Sequence, residues 1–174
     1  KVFHILILHY PRNSSKSQLF HEKYEKEIFS QYLDTALNNA DEPIFISNMK
    51  GDIVFSNKAY QKLQGPTEQV KVNNIFEEYS KLICVFSSDG ELLETNNWAS
   101  IRGLNGFSGD NVVFYVYNVK LNKLFANRIS YAPIYNYANK IIGSYVKIIE
   151  SVSNPDSEIV SKINKKLNLT TGST

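Results

Sequence analysis

The sequence predicts an α+β domain: a five-stranded antiparallel sheet with short helices on one face, an N-terminal amphipathic helix and a C-terminal connector helix. Three observations carry this. Two short apolar runs, residues 43–47 and 53–56, flank a turn containing Gly51, the pattern of a β-hairpin. Three long runs rich in β-branched and aromatic residues, 112–119, 124–135 and 141–150, are separated by short turns, which implies an antiparallel meander. At either end of the chain, apolar residues recur at the three- and four-residue spacing of a helix face.

The elements follow in order. Residues 1–18 read as a leader or linker: a short apolar run, then Pro11, Asn13, Ser14, Ser15 and Ser17. Residues 19–40 read as a helix, with Phe20, Tyr24, Ile28, Tyr32, Leu33 and Ala36 on one face. Glu22 and Lys26 form a favourable pair four residues apart on it. After the hairpin, residues 57–64 have a helical pattern stopped by Gly65 and Pro66. Residues 75–86 are mixed, compatible with short helices or with a strand. Thr95 is expected to cap a helix running to Leu104, closed by Gly103 and Gly106. The main domain is thus placed at 41–153. The connector helix and tail occupy 154–174, with Ile159, Val160, Ile163 and Leu167 on one helix face.

Composition narrows the function. Apolar residues make up 43% of 174, enough for a core, and 11 Tyr with 10 Phe favour sheet. The net charge of +2 is spread over interleaved acids and bases, so no basic face points to nucleic acid as a partner. Cys84 stands alone among apolar neighbours, which rules out an intrachain disulfide or a Cys-based zinc site. It reads as a buried small hydrophobe in a reducing, cytoplasmic setting. The chain opens on Lys1 rather than Met, so a fragment or a processed product is expected. Residues 2–8 are apolar but far short of the ~20 residues of a membrane span. They fit the cytosolic part of a membrane-anchored sensor equally well.

The run Ile44-Phe-Ile-Ser-Asn-Met-Lys-Gly-Asp-Ile-Val-Phe-Ser-Asn-Lys-Ala-Tyr60 resembles the opening of a PAS domain, with Gly51 and Asn57 at its two most characteristic positions. Downstream, Ser88-Asp-Gly90 and Trp98-Ala-Ser-Ile-Arg-Gly-Leu-Asn-Gly106 resemble the helix that precedes the last three strands of one PAS subgroup. Tyr131-Ala-Pro-Ile134, followed by Ile142-Gly-Ser144, resembles the turn between the last two strands. The resemblance covers about residues 34–153. It implies a PAS fold and a regulatory input domain, not an enzyme, that binds a small ligand or relays a signal. The effector outside this chain would be a histidine kinase or a nucleotide cyclase. It also implies a homodimer through the flanking helices. The alternative is a ligand-free PAS module used only for dimerisation and relay.

The resemblance also frames the cofactors. Haem-binding PAS domains hold iron through a His on the helix before the last three strands, and here residues 96–104 contain none. Flavin-binding light-sensing PAS domains carry an Asn-Cys-Arg motif, absent here, so haem and covalent flavin are not expected; nor does Cys84 match the cysteine of the cinnamate-type chromophore site. His21-Glu22 lacks the residues that follow it in a histidine-kinase phosphoacceptor box, and with His4 and His9 it precedes the domain. No metal constellation and no nucleophile-elbow pattern is present. What remains is an unknown small organic ligand between sheet and helices. The residues expected near it are Arg102, Asn127, Arg128 and Ser130 as polar groups, and Trp98, Phe114, Tyr115, Tyr131 and Tyr145 as an apolar wall. Gly51 and Asn57 are read as structural, Asn57 as the cap of the helix that follows it.

Overall fold

The computed structural model describes residues 16–64, 77, 80–153, 155 and 158–171, with side chains described for all of these except 16–22, 64 and 168–171. Several sequence readings lie outside those residues: most of the 1–18 leader, His4, His9, the Phe20, His21 and Glu22 side chains, the Gly65-Pro66 stop, residues 75, 76, 78 and 79, the helix start at Asn154 and Asp156, and the end of the tail. The chain divides into two units, Lys1–Leu37 and Asn38–Thr174. The first contains nearly all of helix α1 (Lys16–Asn38), a stretch with no Gly or Pro to interrupt it. Its Tyr24, Phe29, Tyr32 and Leu33 are exposed.

The second unit is built on a single antiparallel sheet. Strands β1 (Ile44–Asn48) and β2 (Ile53–Ser56) form the hairpin. Asn48 organises its turn by accepting from the Lys50 and Asp52 N–H groups at 2.8 and 3.1 Å. Gly51 takes φ = 85°, a conformation costly for any residue with a Cβ. Helix α2 (Lys58–Gln64) follows, then β3 (Ile83–Phe86), a 3₁₀ turn at Thr95–Asn97 and helix α3 (Ala99–Leu104). Strands β4 (Gly109–Asn118), β5 (Lys123–Tyr135) and β6 (Ile141–Ser153) make the meander, and helix α4 (Glu158–Thr171) ends the fold. The strand order is β2-β1-β6-β5-β4-β3, so the last strand closes onto the first hairpin.

Three expectations are corrected here. The sheet has six strands, not five: β3 adds to the outer edge of β4, pairing Ile83 with Asn118 through Phe86 with Tyr115. Four apolar residues in a row carry no period that separates strand from helix, which is why this segment read as mixed. Thr95 is no helix cap. It opens the 3₁₀ turn, and α3 starts after Trp98 with no side-chain cap at all. Gly103 does not end α3 either. It lies inside the helix, where a Cβ would come within 2.7 Å of the Ser144 Cβ, so its absence lets α3 press onto β6.

Period-two alternation gives the sheet two apolar faces. On one, Val85, Phe114, Ile129, Val146 and Ile148 pack with Tyr60 of α2, Trp98 and the flank of α3. On the other, Phe86, Tyr115 and Leu124 meet Ile163 of α4, which is fully buried. Burying one such Ile is worth about 1.5–3 kcal/mol, enough to hold a short helix down. Lys162 and Lys166 of α4 also grip Glu91, and their hydrogen bonds pull its carboxyl down to about 2. These are surface pairs, so they orient the helix more than they stabilise it.

Asn57 ties the hairpin to α2. Its Oδ1 accepts from the Ile44 N–H and the Tyr60 N–H, each at 2.9 Å, and its Nδ2 donates to the Glu42 carbonyl at 2.9 Å. The side chain is completely buried, so each bond has no water to replace it. Asn57→Ala is expected to cost about 2–4 kcal/mol in urea unfolding. Asn57→Asp, which keeps an acceptor for the Ile44 and Tyr60 N–H groups but turns a buried carboxylate oxygen onto the Glu42 carbonyl, is expected to destabilise the domain at neutral pH in the same measurement.

Candidate functional site

A cavity of about 120 Å³ lies between the sheet and the short helices. Strand β1 supplies Phe45 and Ser47, and α2 supplies Tyr60 and Leu63. Trp98 and Ala99 come from the start of α3, and Phe114, Asn127, Ile129, Val146 and Ser151 from the meander. The wall is mainly apolar, but three of its oxygens are buried without a hydrogen-bond partner among the described residues: Ser47 Oγ, Asn127 Oδ1 and Ser151 Oγ. Asn127 and Ser151 face each other across β5 and β6. Ser47 is opposite Ser144, towards the other end of β6. Buried polar atoms in folded proteins nearly always have partners, so three open ones around one cavity set this wall apart from ordinary core.

Of the residues the sequence placed near a pocket, Trp98, Phe114 and Asn127 line it. Arg102 and Tyr131 are not part of its lining; they sit together, one on α3 and one on β5. The Arg102 guanidinium carbon stands 5.9 Å from the Tyr131 ring centre and 5.5 Å from that of Phe107, a cation–π arrangement. Arg102 Nε is buried with no partner among the described residues. The other four expectations are corrected, and the reason is common to all. Arg128, Ser130, Tyr115 and Tyr145 each neighbour an inward-facing residue on a strand and therefore point to the opposite face. Arg128 is exposed and pairs with Glu150 at 2.8 Å; Ser130 donates to Asp110. Tyr115 belongs to the core under α4, and Tyr145 is half-buried, its phenol pushed up by burial and then by the Glu42 carboxylate. Cys84 also faces α4, with its thiol pushed up by burial, which suppresses reactive thiolate.

Sequence reasoning missed Ser47 and Ser151. Ser47 was within reach, because Phe45 and Ser47 alternate on a strand that buries one face. Ser151 was not: the register of β6 against β5 shifts between Arg128 and Ile129, and only that irregularity returns Ser151 to the cavity side.

A hairpin, short helices and a three-strand meander whose last strand returns to the hairpin enclose a cavity on one face of the sheet. The fold is PAS-type. No family model matches the sequence, and no curated protein does. Among solved structures, the chain is similar to an RNA-binding light-oxygen-voltage receptor at 15% identity and a TM-score of 0.47 over 84% of this chain, and it spans 38% of that receptor. It is similar to the PAS domain of an HTR-like protein from Haloarcula marismortui at 14% identity and a TM-score of 0.47, covering 76% of this chain and 98% of that domain. A light-oxygen-voltage domain gives 17% identity and a TM-score of 0.46, over 79% of this chain and 96% of that one. Within the PAS-type fold described here, no helix among the described residues is long and apolar enough to cross a membrane.

An unpaired buried acceptor lowers stability when nothing occupies the site. Asn127→Leu, which keeps the branching and the number of side-chain heavy atoms, is therefore expected to raise the stability of the ligand-free protein by about 1–2 kcal/mol in thermal or urea unfolding.

Proposed function

We propose that this chain is the sensory input module of a signalling protein, that a small organic molecule in the PAS cavity is its signal, and that an effector such as a histidine kinase or nucleotide cyclase lies outside it. The observation that carries this reading is the trio of unpartnered oxygens, Ser47 Oγ, Asn127 Oδ1 and Ser151 Oγ, on an otherwise apolar cavity. A cavity that served only as core would be filled, or its polar atoms paired, because each open one costs stability.

The sheet supplies the transmission. Phe114 borders the cavity while Tyr115, the next residue, packs under α4 with Ile163. A molecule that shifts β4 or β5 on the cavity side moves the floor on which α4 rests. Its influence is limited to the difference in its affinity for the two arrangements of that helix. Helix α1, with Tyr24, Phe29, Tyr32 and Leu33 exposed, would provide the surface for homodimerisation.

Comparing native and denatured masses of the purified protein tests the reading. A small excess mass per chain in the native state, lost on denaturation, is the expected result. The bare polypeptide mass in both states, from protein kept at high concentration throughout, would favour a module that only dimerises and relays.

A further inference from the structure

The chemistry of the cavity wall restricts what can enter it. Among the described residues, no Asp, Glu, Lys, Arg or His lines the cavity. Its polar groups are neutral hydroxyls and amides. Several are already engaged: Asn118 Oδ1 accepts from the Leu121 N–H at 3.0 Å, and the Trp98 indole donates to the Leu93 carbonyl at 3.4 Å. What is left open is concentrated at the Asn127–Ser151 pair, with Ser47 as a second point.

We infer that the ligand is an uncharged molecule, about the size of one six-membered ring, whose hydrogen-bonding head meets Asn127 and Ser151 while its apolar body packs among Phe114, Ile129 and Val146. This rests on the ligand-pocket reading above and names the class of ligand for that pocket. Charge is disfavoured by cost: among the described residues the lining offers an ion no counter-ion, Arg102 standing outside it, and too few dipoles to replace its hydration. Size follows from volume, since the cavity is slightly smaller than the roughly 150 Å³ apolar cavity that takes up benzene. The head is set by the donor and acceptor inventory. Asn127 Oδ1 accepts only, and Ser151 both donates and accepts, so a group with a donor beside an acceptor satisfies both. A primary amide, a lactam or an alcohol has this form, and a hydrocarbon does not.

Trp98 is the only tryptophan and borders the cavity, so its indole N–H resonance reports occupancy in the full chain. Four probes of matched size separate the possibilities: benzamide, benzoate, benzylammonium and toluene, each titrated and followed by NMR. Benzamide is expected to bind at least about tenfold more tightly than either ion, and roughly three- to tenfold more tightly than toluene. In Asn127→Leu, benzamide is expected to fall to the level of toluene while toluene itself still binds. An ion or toluene that equals benzamide, or a benzamide advantage that survives Asn127→Leu, would overturn the ligand class and leave the pocket reading standing. If none of the four moves the Trp98 resonance, the pocket reading itself fails and the class falls with it.

Discussion

The domain depends on one buried side chain holding together segments that the chain separates. Asn57 satisfies the N–H of Ile44 at the start of β1, the carbonyl of Glu42 before it, and the N–H of Tyr60 in the first turn of α2. Its backbone N–H also donates to the Ile44 carbonyl, so residues 44 and 57 are joined through both main chain and side chain. Asn suits this task because one planar amide offers an acceptor and a donor with opposed directions. The consequence reaches the site directly. Helix α2 carries Tyr60 and Leu63, which form part of the cavity wall, and β1 carries Phe45 and Ser47. Fixing the angle between hairpin and helix therefore fixes one side of the cavity.

The sheet imposes a second constraint. A strand presents consecutive residues to opposite faces, so one sheet can border a cavity with half of its residues and hold a helix with the other half. β4 and β5 do this. Phe114, Asn127 and Ile129 face the cavity, while Tyr115, Leu124 and Ala126 face α4. Cavity and C-terminal helix are separated by the thickness of a single sheet, the shortest route by which occupancy of one could bias the placement of the other. Unpaired polar groups on the cavity wall reduce stability while nothing pairs with them.

Much of the fold was legible because its signals are local. Gly51 needed a positive φ, the three long runs had strand composition, and Asn57 preceded a helical pattern at the spacing of a cap. β3 was obscure because four apolar residues carry too little pattern, and its identity comes from pairing with β4 rather than from its own sequence. The cavity wall was partly legible. Trp98, Phe114 and Asn127 do line it, but Arg128 was grouped with Asn127 although neighbours on a strand cannot share a face. The attraction of a charged residue as a ligand anchor outweighed that geometry, and Arg128 is instead a surface partner of Glu150. Ser151 lay beyond reach, because a shift in strand register is a property of the folded sheet and leaves no mark in one sequence.

The central claim is that the cavity holds a molecule and is not merely imperfect core. Its most direct test is the electron density at atomic resolution beside Asn127 and Ser151, in crystals of the chain purified without added ligand. The account predicts a compact organic molecule within hydrogen-bonding distance of Asn127 Oδ1 and Ser151 Oγ. A cavity closed by its own side chains, with Asn127 bonded directly to Ser151, or one holding water alone, would contradict it.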